Sequence, residues 1–171
     1  IDNLLDVETI NSPGFPGELL RWNGAIWTSD GSGTSARISN AAILDLNAST
    51  VFIDIPLGLI DYNEFDTSVA IDNTGFLIQQ AGTYSISYSG ILTSGGERST
   101  VITRINAGGN LGGQDFVYIR NNDAINEGAA SGSFTVQLMA GDTVRLQSRR
   151  LATINAVTPN NTGDVNMSII R

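Results

Sequence analysis

Asp61, Asn63, Glu64 and Asp66 crowd one short stretch and form the densest set of oxygen ligands in the chain. Oxygen donors so close together suit calcium, but the stretch lacks the glycine and the ligand spacing of a helix-loop-helix calcium loop. It reads as a solvated loop, and no metal and no other cofactor is expected. Arg145, Arg149 and Arg150 form a second cluster, near one strand end and the loop after it. Guanidinium groups recognise carboxylates and other oxyanions, and the expected use here is pairing with the many carboxylates of a neighbouring subunit. Gly108-Gly109-Asn110-Leu111-Gly112-Gly113 is rich in glycine but lacks the Gly-Lys-Ser/Thr ending of a phosphate loop. It reads as a tight or mobile turn.

Composition removes whole reaction classes. The 171 residues include no cysteine and no histidine, and all nine basic residues are arginine. A Ser-His-Asp triad, a Cys-His pair, a Schiff-base lysine and a histidine- or thiolate-bound zinc are therefore excluded. A two-carboxylate polysaccharide hydrolase is the main enzyme class left. The net charge of −8 disfavours nucleic acid, whose recognition needs a basic footprint. No apolar run reaches the 18 residues of a membrane-spanning helix, so no membrane partner is expected.

The elements that would position any site are short strands. Tyr84, Ile86 and Tyr88 alternate with Ser85, Ser87 and Ser89. Phe134, Val136 and Leu138 alternate with Ser133, Thr135 and Gln137; after Ala140-Gly141-Asp142, Val144 and Leu146 alternate with Thr143, Arg145 and Gln147. A period of two with one apolar face marks half-buried strands, and residues 132–147 read as a hairpin. Val101, Thr103 and Ile105, residues 116–120, and Val165, Met167 and Ile169 add further strands. Tyr84, Tyr88, Phe134, Val136 and Leu138 are the candidates for the core or for packing about a trimer axis. Tyr84, Tyr88, Phe116 and Tyr118 have a sugar-stacking platform as the alternative. Eight to ten evenly spaced strands, 19 glycines and almost no helical periodicity predict an all-β sandwich or jelly roll.

The first 48 residues differ in texture. Asn11-Ser12-Pro13-Gly14-Phe15-Pro16-Gly17 is a turn or connector. Residues 17–28 then read as strand, Asn23-Gly24 turn, strand, with Trp22 and Trp27 flanking the turn. Residues 37–46 are ambiguous between helix and strand. The expected division is an arm or attachment segment over 1–48, with Trp22, Asn23, Gly24 and Trp27 as its candidate docking residues, and a jelly-roll trimerisation domain over 49–171.

Several pieces in order carry a family resemblance. They are Gly75-Phe76, Gly82-Thr83-Tyr84, Ile86, Tyr88, Val101, Thr103-Arg104-Ile105-Asn106, residues 132–147 and the closing Met167-Ser168-Ile169-Ile170. Over about residues 50–171 they resemble the globular head of the complement C-one-q family, in the tumour-necrosis-factor-like jelly-roll superfamily. The resemblance implies a ten-stranded jelly-roll sandwich and a compact homotrimer. No collagen-like stalk precedes it and no set of calcium ligands is evident, so fold and assembly carry over and a ligand site does not. The Trp22–Trp27 segment resembles a short hairpin of bacteriophage tail-fibre and other virion-attached proteins.

Together these readings give a non-enzymatic homotrimer on the surface of a bacteriophage-like virion, either a capsid decoration (cement) protein or a fibre head. Its expected partners are its own copies and a major capsid or tail protein. A host-glycan-binding fibre head is the alternative, and the carboxylate-based hydrolase comes behind both.

Overall fold

Alternation of apolar and polar side chains builds strand after strand until two sheets close on one apolar layer. The computed structural model describes residues 20–22, 27–29, 35–40, 50–65, 68–94, 99–119, 126–152, 157–159 and 163–171. In chain order the strands are β1 (Leu20–Trp22), β2 (Trp27–Ser29), β3 (Ser35–Ser39), β4 (Ile53–Asp54), β5 (Leu59–Asn63), β6 (Val69–Asp72) and β7 (Gly75–Ile78). They continue with β8 (Gly82–Ser94), β9 (Ser99–Ala107), β10 (Asn110–Ile119), β11 (Asn126–Leu138), β12 (Thr143–Ala152), β13 (Val157–Pro159) and β14 (Val165–Ile170). No helix occurs among the described residues.

Sheet one has the order β11-β8-β14-β3-β5, with β13 also on β8. Sheet two has the order β10-β9-β12-β7-β6, with β4 also on β12. Every pairing is antiparallel. The chain crosses from one sheet to the other between β3 and β4, β4 and β5, β5 and β6, β7 and β8, β8 and β9, β10 and β11, β11 and β12, and β12 and β13. That repeated crossing makes the sandwich a jelly roll, as the strand pattern predicted.

The core lies between the sheets. Sheet one contributes Ile38, Tyr84, Ile86 and Met167, and sheet two contributes Phe76, Ile105, Val144 and Leu146. A buried hydrogen bond of 2.5 Å joins the Tyr88 hydroxyl on β8 to the Thr103 hydroxyl on β9, so the layer is tied across as well as packed. Two close approaches depend on glycine. A Cβ on Gly132 would lie 2.3 Å from the Gly113 carbonyl oxygen, so the edges of the two sheets could not meet there with a larger residue. At the β9–β10 turn, Gly108 and Gly109 both have positive φ, 58° and 85°, which side-chain-bearing residues rarely adopt.

Three expectations change. Residues 132–147 are not a hairpin: β11 pairs with β8, whereas β12 pairs with β9, β7 and β4 in the other sheet. The Gly141 turn carries the chain across the sandwich. Its amide donates to the Ile78 carbonyl, and the Ile78 amide donates to the Asp142 carbonyl, both at 2.8 Å. Both strands still bury their apolar residues in the same core, which is why their alternation resembles that of a hairpin. Residues 35–40, read as part of the arm, form β3 between β14 and β5, with Ala36 and Ile38 fully buried. Asn40 locks the end of that strand. Its amide donates to the Val165 carbonyl, and its Oδ1 accepts from the Val165 amide, both at 2.8 Å. The third change concerns β1 and β2. Trp22 pairs directly with Trp27, with four residues between them, whereas a two-residue Asn23-Gly24 loop would pair Trp22 with Ala25. Asn23 and Gly24 lie outside the described residues.

Replacing Tyr88 by Phe breaks the inter-sheet bond and leaves the buried Thr103 hydroxyl unpaired, an expected loss of about 1–2 kcal/mol in urea unfolding near neutral pH. Burial pushes the Tyr88 phenol up to about 12, with the Thr103 hydrogen bond opposing and the Asp115 charge adding to the rise. The folded value is raised, so this contribution is complete below the ordinary value of 10.0 and is lost as pH climbs through about 12. Phenylalanine does not titrate. The stability gap between the wild type and Tyr88→Phe therefore narrows between about pH 10 and about pH 12.

Candidate functional site

Outward positions on each sheet follow from the inward ones, and the two outer faces differ in chemistry. On sheet one, Ser85, Ser87, Ser89 and Ile91 of β8 point away from the core. Across the ladder Ser85 meets Thr135 and Ile170, Ser87 meets Ser133 and Ser168, and Ser89 meets Ser131 and Asn166. The outward positions described on β8, β11 and β14 thus carry no charge, in a chain of net charge −8. The hydroxyls bond along the face rather than across the molecule. Ser85 and Thr135 are 2.9 Å apart, and Ser89 donates to Asn166 Oδ1 at 3.3 Å.

Among the described residues of sheet one, charge appears toward the β3–β5 edge. Arg37 Nε lies 3.1 Å from Asp61 Oδ2, which also accepts from the Ser39 hydroxyl. The Ser35 hydroxyl donates to Glu64 at 2.6 Å, and Asn63 Oδ1 accepts from the Phe65 amide at 3.0 Å. The oxygen cluster read from the sequence is thus engaged with its own sheet, and Asp66 lies outside the described residues. Among the described residues, no group of three metal-ligating side chains gathers.

Large apolar side chains stand exposed around the uncharged patch. Ile91 is 42% exposed and Ile170 51%, and on the edge strand β5 Leu59, Ile60 and Tyr62 are exposed as well. Serine, threonine and asparagine ringed by isoleucine, leucine and tyrosine match the core of a protein–protein interface, where charge is depleted. Bare edge strands invite pairing with a second chain unless something covers them.

Sheet two is charged on its outer face. Arg145 Nη2 lies 2.6 Å from Asp72 Oδ2, and Arg145 Nε lies 3.9 Å from Asp54 Oδ2. Arg145 was expected to pair with a neighbouring subunit, and it pairs within its own chain instead. Burial pushes the Asp72 carboxyl up, but hydrogen bonds from Thr74 and the Arg145 charge outweigh it and hold the group below its ordinary value. Further along, Arg104 and Arg149 sit over the ring of Phe52.

Tyr84, Tyr88 and Leu138 are buried in the inter-sheet core, with Phe134 and Val136 packed against it. All five point away from the uncharged outer face. The Tyr84 hydroxyl donates to the Gln80 carbonyl at 2.6 Å, so its polar tip is used within the chain. Trp22 and Trp27 are register partners in the β1–β2 ladder, and their side chains lie outside the described residues. The side chains of Phe116 and Tyr118 lie outside the described residues. Sequence reasoning missed two things here. The serine alternation on β8 was visible, but a period of two does not say whether the polar face meets solvent or a neighbouring subunit. Phe52, Arg104 and Arg149 are dispersed in sequence, and no local motif joins them.

No protein-family profile and no curated protein sequence matches the chain. Solved structures do. Murine APRIL at pH 8.0 is similar with a TM-score of 0.54 and 11% identity, over 81% of this chain and 98% of that one. Eiger TNF from S. frugiperda is similar with a TM-score of 0.50 and 10% identity, over 81% of this chain and 91% of that one. The chain therefore has the tumour-necrosis-factor-like jelly-roll fold that the sequence resemblance implied.

Asp72→Asn is expected to lower stability near neutral pH by roughly 0.5 kcal/mol, the size of a partly screened pair. The folded value of Asp72 is depressed, so this contribution is present above the ordinary 3.8 and lost as pH falls through the folded value. Melting temperatures of the wild type and Asp72→Asn should converge on acidification.

Proposed function

We propose that this protein is a non-enzymatic structural module that assembles as a homotrimer through the uncharged outer face of sheet one. The observation that carries the reading is that face itself. Its three strands β11, β8 and β14 present hydroxyls, amides and apolar groups, with no charge among the outward side chains described, beside the exposed apolar edge of β5. Burying such a face against copies of itself costs no ion desolvation and removes Ile91 and Ile170 from water. A closed ring also leaves no exposed self-complementary patch to propagate a fibre. The sequence resemblance to trimeric jelly-roll heads points to three copies rather than two.

The setting we propose is the surface of a bacteriophage-like virion, with the protein acting as a capsid decoration protein or a fibre head. Its support is the Trp22–Trp27 segment and its likeness to virion-attached hairpins. Three arms on one trimer would multiply a weak attachment to a capsid or tail protein by raising its effective concentration. Absence of histidine, cysteine and lysine from the sequence favours a structural over a catalytic role.

Ser87 lies at the centre of the uncharged face, so Ser87→Arg should leave the fold intact and abolish assembly. Light scattering at micromolar concentration should give three times the 18.1 kDa chain mass for the wild type and a single chain for Ser87→Arg. A monomeric wild type would rule out the trimer. A truncation that tests attachment has to stop before β3, because β3 belongs to the sandwich. A chain lacking residues 1–34 should remain trimeric and should no longer bind virions from which the full-length protein has been removed. Undiminished binding would rule out the arm as the anchor.

A further inference from the structure

The outer face of sheet two has charge at one end that no carboxylate among the described residues compensates. Arg145 lies between Asp72 and Asp54, so that part of the strip is balanced. Toward Phe52 the balance ends. The guanidinium carbon of Arg104 is 3.5 Å from the centroid of the Phe52 ring, and that of Arg149 is 5.0 Å from it. Two positive groups thus share one aromatic ring, whose face attracts each of them without neutralising either.

The geometry holds these groups in place. Arg104 Nε donates to the side-chain oxygen of Gln147 at 3.1 Å, and Gln147 Nε2 donates to Asp54 at 2.8 Å. The direct partner of Arg104 is therefore a neutral amide, with the carboxylate one residue further off. Arg149 Nε is buried and has no hydrogen-bond partner. No ion pair joins Arg104 or Arg149 to a carboxylate among the described residues. Burial, and after it the charge of Arg149, draws the Arg104 guanidinium below its ordinary value, as expected where like charges meet without a counter-ion.

We infer that Arg104 and Arg149, held on Phe52, bind one oxyanion group of a ligand, a carboxylate or a phosphate or sulfate ester. A planar fork of N–H donors fits the oxygens of such a group, and the binding is stronger when the fork is already fixed. The Phe52 ring is covered by the guanidiniums, so the site reads charge and does not stack a sugar. Elsewhere the chain is acidic, which opposes the approach of a long polyanion and favours a single charged group. This inference concerns sheet two and does not depend on assembly through sheet one.

The test measures the melting temperature of the full chain in acetate, inorganic phosphate and sulfate, each against chloride at equal ionic strength. At concentrations several-fold above Kd, at least one of these oxyanions should raise Tm by roughly 2–4 °C over chloride. Acetate as the effective anion identifies a carboxylate ligand, and phosphate or sulfate identifies an ester. Arg149→Gln should abolish the rise, Arg149→Lys should reduce it, and Arg37→Gln on the opposite sheet should keep it. Arg149→Gln leaves the Arg104–Gln147–Asp54 chain in place, so a folding defect at Arg104 does not enter the result. A rise equal to that in chloride for all three anions overturns the proposal, as does a rise that survives Arg149→Gln.

Discussion

The apolar layer shared by the two sheets is the constraint on which everything else rests. Neither sheet can stand alone, because each has one face lined with groups such as Ile86 and Met167, or Ile105 and Leu146, that water would not solvate favourably. Closing the sheets on each other satisfies both at once, and the Tyr88–Thr103 bond fixes how they meet. Once the inner faces are committed, the outer faces follow from the pleat. The serine rows of sheet one and the arginine strip of sheet two are consequences of the same packing decision.

The two outer faces then suit different roles. Among the described side chains, the outer face of sheet one is charged near β3 and β5, where Arg37 and Asp61 compensate each other. A surface of that kind has little reason to remain in water if a copy of itself is available. Sheet two keeps its charges and pairs them unevenly, with Arg145 balanced and Arg104 and Arg149 stacked on Phe52. Such an arrangement is costly in an isolated chain and becomes favourable when an anion arrives. A division between an assembling face and a recognising face would let one small sandwich do both.

Much of the fold was legible in the residues because strand burial is a local property. Tyr84, Ile86 and Tyr88 were read as one face and lie in the core, and so do Val144, Leu146, Met167 and Ile169. The segment at 35–40 was harder. Ala36 and Ile38 are buried on either side of the exposed Arg37, but that run is short and directly follows a Gly-Ser stretch, so its texture matched the arm. Residues 132–147 show the opposite failure, a strong local pattern with the wrong partner. Two strands joined by Ala140-Gly141-Asp142 look the same in sequence whether they pair with each other or face each other across a core.

The sequence by itself determined which side chains turn inward, which chemistries are impossible and that the chain is all-β, because these depend on residue type and a period of two. Tertiary structure alone decided which strands share a sheet. That choice put Ser133 and Thr135 beside Ser87 and Ser85 on one face, and Thr143 and Arg145 on the opposite side of the molecule. It also brought Arg104 of β9 and Arg149 of β12 together with Phe52, which directly precedes β4. Strand pairing depends on contacts tens of residues apart, and no local spacing encodes them.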